Sequence, residues 1–146
     1  MVKDVGTNEK NTFTDSDELR SRFVIREEEE FEKLVEGAEE LVKIREETGE
    51  PKVLLSPKRG SVKDRLFLYF LGTEVSFRLG LREERSVSTD ELCQHFKLSR
   101  NYGNARVSDL HDENLIEKVD RGEYKLDLIH SFDYIRALKA KYGVES

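Results

Sequence analysis

Apolar residues recur at helical spacing in three stretches of the chain, each bounded by residues that start or stop helices. Between Glu28 and about Thr48, Phe31, Leu34, Val35, Ala38, Leu41, Val42 and Ile44 follow a helical repeat behind the acids Glu27 to Glu30, which suit a helix N-terminus. The pattern predicts an acidic amphipathic helix over 27–50, closed by Gly49 ahead of Pro51. From Ser61 to about Leu81, Val62, Leu66, Phe67, Tyr69, Phe70, Val75, Phe77 and Leu79 predict a second helix, with Ser61 as cap, Gly72 as a break or kink and Gly80 as stop. A third helix is expected from about Ser131 to Tyr142, with Phe132, Ile135 and Leu138 on one side. Between the first two, Val53-Leu54-Leu55 reads as a short strand and Ser56 to Gly60 as a basic turn. The start of the chain has no periodicity, and 1–26 read as a flexible segment.

The stretch Ser88 to Leu128 is denser in signals. Thr89 can cap a helix opening Asp90-Glu91-Leu92, and Ser99 offers a second N-cap only a few residues after that helix must end. Two short helices with almost no loop between them predict a helix-turn-helix. Leu115 to Val119 and Tyr124 to Leu128 then flank Asp120-Arg121-Gly122-Glu123, whose Gly suits a hairpin turn, and Ser86-Val87-Ser88 is a short strand able to pair with it. This order resembles the winged helix-turn-helix superfamily. The phrase Asp109 to Val119, DLHDENLIEKV, is similar to the way many prokaryotic members end the recognition helix and enter the wing. The resemblance covers roughly the last two-thirds of the chain. It implies a mainly α fold with a small β-hairpin wing (α+β), a winged domain over 51–146 preceded by the acidic helix, and double-stranded DNA binding by a small transcriptional regulator of prokaryotic or archaeal type.

Charge complicates that expectation. The whole chain carries a net −6, which opposes phosphate binding, but the acid is concentrated in residues 1–50, at −8. Residues 51–108 carry 11 Lys and Arg against 6 acids, an excess of +5 where a winged helix meets phosphate. On the expected recognition helix, 99–114, helical spacing groups Gly103, Val107, Leu110 and Asn114 toward the core. The opposite side carries Asn101, Asn104, Ala105 and Ser108. Asn101, Asn104 and Ser108 are the candidates for base edges, Lys97, Arg100 and Arg106 for phosphates, and Arg121 at the wing tip for an adjacent phosphate or the minor groove. The nearly heptad spacing of Phe31, Leu34, Ala38 and Leu41 gives the helix 28–48 two equal outcomes, a homodimer seam or a face packed on its own winged core.

Other chemistry is thinly represented. Cys93 has no disulfide partner and reads as a small buried thiol, and His95, His111 and His130 fit no metal or catalytic spacing. No cofactor and no metal are expected, and enzyme activity is set aside because no nucleophile, base and orienting group form a recognisable set. No signal-peptide core or membrane-length apolar run occurs in the sequence, which reads as cytoplasmic. The competing function is a protein-interaction adaptor, favoured by the acidic front and by a wing whose charges nearly cancel.

Overall fold

The computed structural model describes residues 16–143, in which six α-helices and five short strands form a mostly helical α+β arrangement with two small antiparallel sheets. In chain order they are α1 (Ser16–Phe23), α2 (Glu27–Val35), β1 (Val42–Ile44), β2 (Pro51–Val53), α3 (Val62–Arg78), β3 (Val87–Ser88), α4 (Thr89–Phe96), α5 (Arg100–Asp112), β4 (Ile116–Asp120), β5 (Glu123–Leu126) and α6 (Leu128–Lys141). None of the described helices is long and apolar enough to cross a membrane.

Helix α3 is the centre. Ser61 starts it by accepting the Asp64 N–H at 3.1 Å, and Leu66 to Leu71 are buried on every side, as befits a helix surrounded by other elements. It runs without a break through Gly72, where a break or kink was expected. A Cβ at Gly72 would lie 2.7 Å from Pro51 Cβ and 2.9 Å from Val42 Cγ2, so the missing side chain lets the β1–β2 hairpin lie directly on the helix.

The stretch 27–50 departs most from the sequence reading. Instead of one helix, α2 stops at Val35, Gly37 turns left-handed at φ +80°, a single 3-10 turn follows at Ala38–Glu40, and β1 then pairs with β2 as Val42↔Val53, Lys43↔Lys52 and Ile44↔Pro51. Two features override the helical repeat. Gly37 sits in mid-stretch, and the β-branched Val42 and Ile44 alternate with Lys43 as a half-buried strand requires. Gly49 belongs to the hairpin loop, not to a helix end.

This rearrangement also settles where the apolar stripe goes. Leu34, Ala38 and Leu41 join the same buried cluster as Leu66 and Phe67, and Phe31 lies under the Arg78 guanidinium at 4.1 Å from its ring centre. No continuous helix 28–48 forms, and Leu34, Ala38 and Leu41 are buried within the single chain. Residues 1–15 of the segment expected to be flexible lie outside the described residues, and 16–23 form α1.

The second sheet has the order β3-β5-β4, with Val87↔Tyr124 and Ser88↔Glu123 on one side of β5 and Ile116↔Leu126 on the other. The short strand before α4 thus pairs with the later hairpin as expected. Helix α6 begins three residues early because the Asp127 carboxylate accepts the His130 N–H at 3.1 Å.

Candidate nucleic-acid interface

The crossing of α4 and α5 is set by caps and by one small residue. Ser88, still extended in β3, caps α4 by accepting the Glu91 N–H at 3.0 Å. The cap falls one residue before the expected Thr89, whose N–H instead donates to Gly122 O at 2.9 Å. Lys97 ends α4 in the left-handed region at φ 58°, the Leu98 N–H returns to Cys93 O at 2.9 Å, and Ser99 caps α5 through the Tyr102 N–H at 3.2 Å. Three residues therefore separate the helices. They pack tightly at Gly103, where a Cβ would lie only 2.4 Å from Cys93 Sγ.

Helix α5 divides its faces as its sequence requires. Gly103, Val107 and Leu110 are buried, whereas Asn101, Asn104, Ala105 and Ser108 are exposed. Asn114, expected inside, is exposed because it takes the left-handed turn out of the helix at φ 64°. Asn101, Asn104 and Ser108 are spaced three and four residues apart and form one outward stripe. The stripe turns acidic at its far end, where Asp112 and Glu113 are also exposed. Residues 97–108 hold three cations and no acid, so the N-terminal half is the part that an anionic partner can approach.

The four expected cations are in different states. Lys97 is exposed and in no ion pair among the described residues, and Arg121, at the turn between β4 and β5, is likewise exposed with its side chain unpaired. Arg100 reaches Asp90 Oδ1 at 2.6 Å, with both side chains mostly in solvent. Such an exposed pair contributes little and can exchange its acid for another anion. Arg106 is folded back. Its guanidinium lies 4.9 Å from the Tyr102 ring centre, and its buried Nε sits 2.9 Å from Asp109 Oδ2, off the direction an N–H bond needs. It is the least available of the four.

Contacts bring Arg100 and Arg121 toward one end of the molecule. Arg100 is tied to Asp90, the adjacent Thr89 is bonded to Gly122, and Arg121 precedes that Gly in the hairpin turn. A T-shaped contact of His111 with Tyr124, 5.6 Å between ring centres, joins the other end of α5 to the same hairpin. Tyr102 was overlooked in the sequence. It is an exposed aromatic ring on the flank of α5, and its signal was being the lone aromatic among polar residues just after a helix cap.

Buried polar networks hold this face in place. Arg82 grips both Glu91 oxygens at 2.9 Å, and Tyr69 donates to Glu91 Oε2 at 2.5 Å, which anchors α4 to α3. Burial pushes the Glu91 carboxyl up, but the bonds from Arg82 and Tyr69 outweigh it and hold the group below its ordinary value. On α3, buried Glu74 takes Arg85 Nη2 at 2.7 Å and Arg78 Nε at 2.8 Å. Asp64 accepts from Tyr142 Oη at 2.7 Å, from Lys141 Nζ at 3.2 Å and from Tyr134, pinning α6. Its desolvation is likewise outweighed by those three donors, and its pKa is lowered.

The histidines stay structural or peripheral. His95 Nδ1 lies 3.2 Å from Glu50 Oε2, with its ring packed on Tyr69 and Phe96 at 4.7 Å. No group of three His, Cys, Asp or Glu able to hold a metal occurs among the described residues. Cys93 is half-buried at the helix crossing. No family model, curated protein or solved structure matches this chain, so the functional reading rests on its own geometry.

Proposed function

We propose that the chain is a winged helix-turn-helix protein that binds double-stranded DNA, with α5 in the major groove and the β4–β5 hairpin as wing on the adjacent backbone. The observation that carries this reading is the division of α5. One face is locked into the core by Gly103, Val107 and Leu110, while the other offers Asn101, Asn104 and Ser108 to solvent beside the unpaired Lys97. Asn amides suit the paired donor and acceptor of adenine, and Lys97, Arg100 and Arg121 supply phosphate contacts. Arg106 serves as a contact only after leaving Tyr102 and Asp109. Regulation of transcription follows as the natural use of such binding.

A second reading has its own support. Arg100 and Arg106 lie beside acids of the same chain, and Lys118 on the hairpin is surrounded in sequence by Glu117 and Asp120, which fits a protein-binding adaptor. Fluorescence anisotropy with labelled duplex DNA at low and physiological salt separates the two. DNA binding predicts an affinity that falls steeply with salt and a uniform loss on replacing Lys97 and Arg121 with Ala. Asn101→Ala should cost on the order of 1 to 3 kcal/mol only on a preferred sequence. Absence of binding at low salt favours the adaptor.

A further inference from the structure

Three consecutive apolar residues, Phe23, Val24 and Ile25, join α1 to α2 with 74%, 48% and 53% of their surface exposed. A run of that kind is a liability in water unless something covers it. Residues 20–26 around it carry Arg20, Arg22 and Arg26 and no acid. Arg22 and Arg26 reach Glu18 and Glu29 only at 4.0 Å and in solvent, pairs that contribute little and exchange readily. Helix α1 itself buries no residue.

A complementary feature lies at the far end of α2. An open groove of about 260 Å³ runs between the end of α2, β1 and α3, walled by Val35, Val42, Ile44, Leu71, Gly72 and Val75. An apolar cavity of about 150 Å³ takes up a benzene ring, so this groove has room for a phenyl ring and part of a branched aliphatic neighbour. Glu36, Glu39 and Glu40 are exposed beside it and enter no ion pair among the described residues, with Lys43 the cation on its wall. The nine residues of α2 separate segment from groove by about 13 Å along the helix axis. Arg26, which opens α2, has extended backbone at φ −101° and ψ 107°.

We propose that Phe23 to Ile25 of one copy docks in this groove of a second copy, reciprocally, so that a closed two-fold dimer forms with the arginines of each segment against the groove acids of the other. The contact is independent of the outward face of α5 and of any nucleic acid. Both halves are present on every copy, so a reciprocal exchange leaves neither apolar surface in water.

Sedimentation equilibrium of the full chain tests it. The expected mass is twice 17.0 kDa, dropping to 17.0 kDa in Phe23→Ser with Ile25→Ser, while the melting temperature of the dilute monomer stays unchanged because these residues are exposed in the single chain. Arg22→Glu with Arg26→Glu should also give the monomer, and adding Glu36→Lys with Glu39→Lys should restore the dimer. A wild-type chain that stays at 17.0 kDa, a dimer that survives the serine substitutions, or charge reversal without rescue overturns the proposal. Oxidation of a chain carrying Ile25→Cys, Ile44→Cys and Cys93→Ser adds a direct check. Disulfide-linked dimers support the exchange, and a loop closed within one chain contradicts it.

Discussion

Replacing Gly103 with Ala should change sign with the residue at position 93. In the wild-type chain the new Cβ would sit 2.4 Å from Cys93 Sγ, well inside contact distance. Overpacking of this kind costs roughly 1 to 3 kcal/mol, and the cysteine has few escapes because one of its three side-chain rotamers is disfavoured in a helix. Against this, Ala in place of Gly within a helix gains about 0.8 to 1.0 kcal/mol. The single variant should therefore lose about 1 kcal/mol net, within a range set by how far α4 can yield. With Cys93→Ala already in place, the nearest remaining atom is Cys93 Cβ at 3.9 Å, an ordinary contact, so the helix gain stands alone. Gly103→Ala should then stabilise by nearly 1 kcal/mol, and the coupling between the two sites should be about 2 kcal/mol. Urea unfolding followed by circular dichroism on the four proteins gives both numbers. Equal loss in both backgrounds would refute the close crossing at Gly103.

Other perturbations bear on other parts of the account. Leu34→Ala, at a fully buried site, should lower stability by about 2 to 5 kcal/mol without changing the sedimented mass, since its neighbours are in its own chain. Gly72→Ala should destabilise by about 1 to 3 kcal/mol in spite of better helix propensity, because its Cβ meets Pro51 and Val42 on the hairpin, and a stabilised variant would contradict that packing. Asp64 and Glu91 have folded pKa values below their unfolded ones, so their stabilising contribution is complete above the unfolded carboxylate value of about 4 and is lost as pH falls through the folded values. Melting temperature against pH should drop on that acid limb, and Asp64→Asn should flatten it. On the alkaline side, burial and then the bond to Asp64 raise the Tyr134 pKa, so its contribution is present below the unfolded value of about 10 and fades above it. Tyr134→Phe should blunt that limb in the same measurement.

The legible parts of this chain are those whose signals are local. Ser61 and Ser99 cap the helices they were expected to cap, Gly122 makes its turn, and Gly103, Val107 and Leu110 face inward, because cap chemistry and a helical repeat act within a few residues. The segment after Val35 was misread because Leu34, Ala38 and Leu41 obey a helical spacing that a helix end, a 3-10 turn and a strand also satisfy when all are buried against α3. Gly37 and the alternation Val42-Lys43-Ile44 were the available warning. At the candidate interface, the exposure of Asn101, Asn104 and Ser108 followed from periodicity, and the pairing of Arg106 with Asp109 was within reach at three residues' spacing. Arg100 with Asp90, and the link from Thr89 to Gly122, depend on how α4 crosses α5 and meets the hairpin, which no local pattern encodes.

The most direct test of the central claim is amide chemical-shift mapping by NMR during titration with duplex DNA at low salt. DNA binding through the outward face of α5 predicts shifts concentrated at residues 97–108 and around Arg121, diminishing as salt is added. The buried Leu66 to Leu71 of α3 should stay unchanged. No shifts at low salt, or shifts confined to surfaces away from α5 and the hairpin, would contradict the account.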